Sequence, residues 1–584
     1  MGAWHLVRRT EDGGADAAAI AAARAQFERA GHTKFTPLDH AGHAGFHAAP
    51  VNGGPTGFLA QGDDWIAVAG SLTYKGRMGT AALEKLLTDF AFPWTDWNAL
   101  GGQFALAVCK GGTLYALTDF FGAFQLFHDP ACDVVSTGFL ATAQAQQRLE
   151  WDVQAVFETA FAFFALGDAT PFRQIRRLGP DAQLELDGKP RRQPVDKPLP
   201  HVPAIMPMAE RLMAHGSALQ NAADPWIATF GDAIDCPFSA GFDSRLVLAL
   251  LRDGGAAPHA YIYGSPGDAD VEIPQAIADA EGFALEVFDK QAFRTLDPDA
   301  FPAEVERAFH ETDGIVTDGG LFDNGGNRAA RLKRQRGGRA TASGGCGEVF
   351  RNFFYLPDRC YSPRDVAHAF YAYFDPADMA PAYRAGDYID SVAHKAAASL
   401  GLDDPDEKLP RGMIEQLYPR MRCRSFFGRE ISIVGRQGAY FMPFYERGVV
   451  EHALRLPMDL KAYGRFEARL IDMLDPRLAR HTSSYGHSFA VPPSRAHRVA
   501  EWSTLLRPMA LRRRSYALRR KLRAGATDPH GGLLGAEYLG RAIDLDFPAM
   551  RRFFDIENIA DDGVYRRLAG LEYLAQSLGS RIAA

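Results

Sequence analysis

Short apolar runs bounded by glycine recur through the first 200 residues. Trp65-Ile66-Ala67-Val68-Ala69-Gly70-Ser71-Leu72, Gly102-Gln103-Phe104-Ala105-Leu106-Ala107-Val108 and Thr113-Leu114-Tyr115-Ala116-Leu117-Thr118 predict packed strands. Beyond residue 205 the pattern changes. A helix is predicted near Met206 to Ala223, followed by the apolar run Ile234-Asp235-Cys236-Pro237-Phe238 and a helical segment Leu246-Val247-Leu248-Ala249-Leu250-Leu251 that closes at Gly254-Gly255. A strand at Ala260 to Gly264, a helix at Asp270 to Glu281 capped by Gly282, and a strand at Leu285 to Phe288 come next. Strands alternating with helices predict a parallel sheet with crossover helices. The stretch 186–204 is rich in proline and charge and reads as a linker. The expected organisation is therefore a β-rich domain over residues 1–200 and an α/β domain over residues 205–584.

Composition narrows the class without naming it. The 584 residues are 47% hydrophobic and 23% charged, as in globular proteins with full cores. Lys and Arg number 64 against 71 Asp and Glu, a net charge of −7, so no global attraction to nucleic acid or anionic membrane is expected. No apolar run reaches the length of a membrane span, and the start lacks a secretory pattern. The six cysteines have no metal-ligand spacing, which suggests reduced thiols and a cytoplasmic setting. His40, His43 and His47 lie in a Gly/Ala-rich stretch with no following ligand, so they are expected in a surface loop and no transition metal is assigned.

The chemistry concentrates after the first predicted strand of the second domain, in Ser239-Ala240-Gly241-Phe242-Asp243-Ser244-Arg245. Small residues let backbone N–H groups approach an anion, and the helix that follows adds unpaired N–H groups and a positive dipole end. A carboxylate at Asp243, beside bound phosphate, makes sense as the holder of a divalent cation. An ordinary strand-to-helix turn is the alternative. Parallel sheets bind ligands beyond the carboxyl ends of their strands, which places this loop and Tyr263-Gly264-Ser265 on one rim.

The pattern Ser239-x-Gly241-x-Asp243-Ser244 resembles the pyrophosphate loop of N-type ATP pyrophosphatases, in the asparagine synthase-like branch. That resemblance implies ATP and Mg²⁺ as cofactors, with ATP cleaved to AMP and pyrophosphate as a carboxylate is adenylated. Cofactor contacts would come from Ser239, Ala240, Gly241, Asp243, Ser244, Tyr263 and Gly264. Ala240 replaces a family glycine; if the position needed positive φ, alanine would cost about 1 kcal/mol. A second segment, Ser343-Gly344-Gly345-Cys346-Gly347-Glu348-Val349-Phe350, resembles the family's S-G-x-G-x-D-E-x-F motif and adds Ser343 and Gly344 as nucleotide contacts. Gly347 stands where the family has an aspartate. Asp243 and Glu348 are the expected metal ligands, with Asp318 or Asp323 as substitutes, and Glu348 is also an expected catalytic group. Gly347→Asp is expected to restore part of the rate in a Glu348→Gln background. The family's lysine after its L-P segment is missing from Gly464-Arg465-Phe466-Glu467-Ala468-Arg469-Leu470, which leaves Lys461 and Arg469 (or Arg465) as candidates for that role.

Around Asp119-Phe120-Phe121-Gly122 and Phe124-Gln125-Leu126-Phe127 the first domain resembles class II glutamine amidotransferase domains, which implies an N-terminal-nucleophile-like αββα sandwich. The nucleophilic cysteine those domains carry at position 2 is Gly2 here, and the oxyanion asparagine is absent from Gly70-Ser71-Leu72-Thr73-Tyr74-Lys75. Glutamine hydrolysis is therefore not expected. Lasso-peptide cyclases and β-lactam synthetases similarly lack that cysteine. The sequence thus points to an ATP-dependent carbon–nitrogen ligase acting on small-molecule or peptide carboxylates and amines, with macrolactam formation in a lasso peptide as the specific alternative and a catalytically weak scaffold as the second class. The arginine-rich segment from Arg512 to Arg523 is either a docking surface for an acidic peptide or polyanion, or a solvated helix face.

Overall fold

The computed structural model describes residues 1–10, 17–315, 321–508 and 530–583. Two six-stranded antiparallel sheets are built from the first 200 residues. One runs in the spatial order Arg176–Arg177, Phe127–His128, Val134–Ser136, Ala3–Arg8, His43–Ala48, Phe35–Asp39, and the other in the order Arg191–Pro194, Ala182–Glu185, Thr113–Thr118, Phe104–Lys110, Asp64–Gly70, Phe58–Gln61. Helices Ala17–Arg29 and Phe139–Ala145 cover the outer face of the first sheet, and Gly79–Asp89 covers the second.

The strand Asp64–Gly70 shows why its sequence is apolar throughout. Trp65, Ala67 and Ala69 face the other sheet while Ile66 and Val68 face the covering helix, so both sides are buried and no polar alternation is left. This is the αββα sandwich expected for the segment. Two local expectations differ. His43 and His47 lie on a strand rather than a surface loop and are buried, His47 because its face of the strand looks onto the second sheet, where its Nε2 lies 3.2 Å from the Val68 carbonyl and its ring stacks on Phe58. Part of the expected linker is an edge strand: Arg191–Pro194 pairs antiparallel with Ala182–Glu185. Proline and charge suit a strand with one free edge as well as they suit a linker.

The second half carries a five-stranded parallel sheet in the order Leu285–Phe288, His259–Tyr263, Ile234–Pro237, Ala340–Ala342, Ala439–Phe441. The first strand in sequence is central, and the order reverses between it and Ala340–Ala342. That reversal opens a crevice beyond the carboxyl ends of these two strands. The helix Phe242–Asp253, buried along most of its length, starts at this point.

The halves are joined by more than chain connectivity. Asp313 accepts from the backbone N–H of Leu140 at 3.1 Å, capping helix Phe139–Ala145, and pairs with Arg436 at 2.7 Å. Both charges are buried. The helix Asp562–Leu578 packs on Val153–Ala162, with Arg567 Nε donating to the Ala160 carbonyl at 2.7 Å. One apolar core runs from Trp4 to Leu578.

Candidate functional site

At the strand-order reversal lies a cavity of about 790 Å³. Its floor is the loop from Ser239 to Gly241 and the first turn of helix Phe242–Asp253, and its sides carry Tyr263, Lys290, Arg331, Arg334, Ser343 and Gly344. Of the residues expected to bind a cofactor, Ser239, Ala240, Gly241, Asp243, Ser244, Tyr263, Ser343 and Gly344 all line it. Gly264 stands behind the wall. A Cβ there would come within 2.5 Å of Val271 Cγ2, so the glycine serves close packing of strand on helix.

The loop is held by its own serines. Ser244 Oγ lies 2.7 Å from Ser239 Oγ and accepts from the Ser239 N–H at 2.9 Å, and Gly241 N–H donates to Ser239 Oγ at 3.3 Å. Ala240 is not in the left-handed region, so the alanine carries no conformational cost here. Arg245 is fully buried and turned away from the cavity. Its guanidinium donates to the carbonyls of His481 and Thr482 at 2.8 and 2.5 Å, which fixes the segment that brings Ser484 and Tyr485 onto the cavity wall.

The second motif packs against the first at backbone distance. A Cβ on Gly344 would lie 3.0 Å from Asp243 Cβ and 3.2 Å from the Ser244 nitrogen, so a larger residue would have to push the two motifs apart by a few tenths of an ångström. At Gly347 a Cβ would fall 2.0 Å from Asp243 Oδ1. Gly347→Asp therefore meets an obstacle the sequence did not show: a side chain at 347 has to displace the carboxylate it was to assist. Cys346 is buried and its thiol is pushed well above the ordinary range by that burial, which leaves it inert as a nucleophile.

Asp243 is engaged by a cation from the protein. Arg351 Nη2 donates to Asp243 Oδ2 at 2.9 Å, Nη1 donates to Glu467 Oε2 at 3.1 Å, and Glu348 stands 3.9 Å away. Asp243 Oδ1 is buried without a protein partner. Glu348 accepts from Tyr418 Oη at 2.5 Å and lines an adjoining cavity, not the larger one. The two expected metal ligands are thus linked through a guanidinium. Among the described residues no group of three or more His, Cys, Asp or Glu could hold a metal ion. The buried, orphaned Asp243 Oδ1 fits a divalent cation bound by one carboxylate and by its ligand's phosphates, the usual habit of Mg²⁺.

The stretch where the resembled family has its lysine places Glu467 against Arg351, an acid where a base was sought. Burial, with Asp243 alongside, pushes the Glu467 carboxyl well above the usual range against the pull of Arg351. Lys461 is buried among structural partners: Nζ donates to the Val349 carbonyl at 2.9 Å and to Glu415 Oε2 at 2.6 Å, and Glu415 also pairs with Arg411 at 2.6 Å. Arg469 and Arg465 are exposed and line neither cavity. Asp323 caps the helix Gly326–Arg334 through the N–H groups of Gly325 and Asn327. Asp318 and the segment from Arg512 to Arg523 lie outside the described residues.

Sequence reasoning missed the cationic wall. Arg334 is paired with Glu286 at 2.6 Å and covers the Tyr261 ring at 4.2 Å. Lys290 Nζ lies 3.8 Å from the Tyr263 ring centroid, and burial, reinforced by Arg331, holds its pKa below the ordinary lysine value. Arg331 Nε and Nη2 are buried and make no hydrogen bond to protein. The i,i+3 spacing of Arg331 and Arg334 on one helix face was the available signal. Nothing local marks Lys290.

No known family's sequence profile matches the chain, and no curated protein matches it. Among solved structures it is similar to an allosteric regulatory enzyme of purine biosynthesis (12% identity, 49% of this chain and 65% of that chain covered, TM-score 0.22) and to the glutamine phosphoribosylpyrophosphate amidotransferase of B. subtilis complexed with ADP and GMP (11% identity, 49% and 66% covered, TM-score 0.21). The chain spans about two thirds of each of these proteins. Among the described residues no helix is long and apolar enough to cross a membrane, and the six cysteines are free thiols.

Proposed function

We propose that the protein is an ATP-dependent ligase of the asparagine synthase-like type, which adenylates a carboxylate and transfers it to an amine without glutaminase activity of its own. The observation that carries this reading is the joining of the serine loop, the Ser343-Gly344 segment and the Lys290–Arg331–Arg334 wall around one cavity at the strand-order reversal. Helix N–H groups and three cations suit a polyphosphate, and Arg331 has donors left for it. When bound, Mg²⁺ would sit at Asp243 and neutralise the charge that develops on the departing pyrophosphate. The loop serines and N–H groups orient the phosphates, Lys290 and Arg331 meet their charge, and Arg351 holds Asp243 in place.

Arg331→Ala is expected to weaken MgATP binding about 10- to 100-fold, the scale of a hydrogen bond to a charged group. Calorimetric titration reads this directly; unchanged affinity would remove the nucleotide assignment. With the true carboxylate the products should be AMP and pyrophosphate, not ADP. Macrolactam formation on a peptide is one form of this activity.

Loss of glutaminase has a backbone reason as well as a chemical one. Gly2 has φ +96°, and a Cβ there would lie 2.1 Å from the Ala48 carbonyl oxygen. Gly2→Cys is therefore expected to destabilise the fold by about 1–3 kcal/mol without creating glutamate release. A glutaminase assay showing turnover in either protein would defeat this part of the reading.

A second reading, a catalytically weak binding protein built on the same fold, is favoured by the Arg351–Asp243 ion pair, which places a protein cation beside the expected metal ligand. MgATP binding with no AMP formation from any carboxylate would support it.

A further inference from the structure

The adjoining cavity, about 370 Å³, shares Phe242 and Tyr485 with the larger one, so whatever it holds abuts the nucleotide end of the site. Its walls include Phe353, Phe354, Phe370, Tyr373, Tyr463 and Tyr485. Phe353 and Phe370 lie 4.9 Å apart and Phe354 meets Phe370 edge-on at 5.7 Å, which makes one continuous ring surface. Tyr355 and Tyr463, both on this lining, adopt positive φ of 49° and 61°. Aromatic residues in that region are costly and persist where the surrounding structure enforces them, as it also does for Phe163 at a helix end.

Charge decides what the rings are for. Glu348 and Glu501 both face the cavity. Among the described residues the only guanidinium on its lining, Arg351, is already taken by Asp243 and Glu467, and burial holds His497 below the ordinary histidine range, hence neutral. Another guanidinium, Arg465, is exposed to solvent and lies outside the lining, against the ring of Tyr463, so among the described residues the carboxyl groups outnumber the cations that a carboxylate or phosphate would meet here. An ammonium would find two carboxyl groups and several π faces.

We propose that this cavity is the amine-donor site and that it takes a primary ammonium carried on a flat aromatic body. The donor role rests on the ligase reading above; the recognition of the ammonium rests on the cavity alone. The ring surface receives the body, and Glu348 and Glu501 accept from the N–H groups.

The test is calorimetric titration of the full chain, without nucleotide, against 2-phenylethylamine, 3-phenylpropionate and 2-phenylethanol. The amine is expected to bind at least about tenfold more tightly than either isostere, a difference of about 1.4 kcal/mol. Glu501→Gln should lower that affinity about tenfold, on the scale of losing an ion pair in a partly desolvated site. Because Glu501 also accepts from the Tyr463 N–H at 2.9 Å, Phe370→Leu provides an independent variant with the same expected direction. Arg331→Ala should leave amine binding unchanged. Preference for the carboxylate, equal affinity for all three compounds, or no binding of any overturns the proposal. MgATP binding without amine preference defeats the donor site alone; amine preference without MgATP binding defeats the ligase reading and the donor role, and leaves the ammonium site standing.

Discussion

Replacing Arg351 with methionine is expected to lower the stability of the protein by about 3–5 kcal/mol at neutral pH, the cost of breaking a buried ion pair from one side. Arg351 joins Asp243, Glu467 and Glu348, of which Glu467 is wholly buried. The sign of the pH dependence follows from Glu467. Its folded pKa is raised above the unfolded value, so its neutral form favours folding in acid and that contribution is lost as pH rises through the folded value. Without the pull of Arg351 the folded value climbs further, and Asp243 loses its partner as well. The deficit of the variant should therefore be smallest in acid, below the ordinary glutamate range, and grow toward neutrality. Urea midpoints measured across pH check this, and Glu467→Gln in the Arg351→Met background should recover much of the loss. A deficit independent of pH would mean that packing, not charge, explains the effect.

Lys461→Met is expected to cost about 3 kcal/mol, the low end of the range for an orphaned buried partner because Arg411 still faces Glu415. The same variant should bind MgATP as the wild type does, since Lys461 lines neither cavity. Denaturant unfolding and nucleotide titration on one preparation separate the two. Full stability with lost nucleotide binding would restore the role that proximity in sequence suggested for this lysine.

How far the sequence reaches depends on the distance over which a property is fixed. Strand, loop and helix from Ile234 to Asp253 were legible because each part is set by near neighbours: an apolar run, small residues, then an apolar helical period. The strand Thr113–Thr118 and the cap at Gly282 were legible for the same reason. Proline and charge at 186–204 were ambiguous, since a linker and a sheet edge make the same demand, an unpaired backbone.

What the sequence alone determined is the strands of the first half, the parallel sheet and the loop residues of the larger cavity, all consequences of local periodicity and turn chemistry, while the sandwich arrangement of those strands was implied by a family resemblance. Tertiary structure alone decided the charges. Lys290 and Arg331 meet the serine loop only because crossover connections return their segments to one rim, and Arg351 reaches Asp243 and Glu467 across 108 and 116 residues of chain. Lys461 sits close in sequence to the expected catalytic stretch, yet one turn of helix, Met458–Lys461, points it inward to Glu415. Charge pairing acts through space over a few ångströms, with no periodic trace along the chain, so the partners of each ionised group became known only when the fold brought them together.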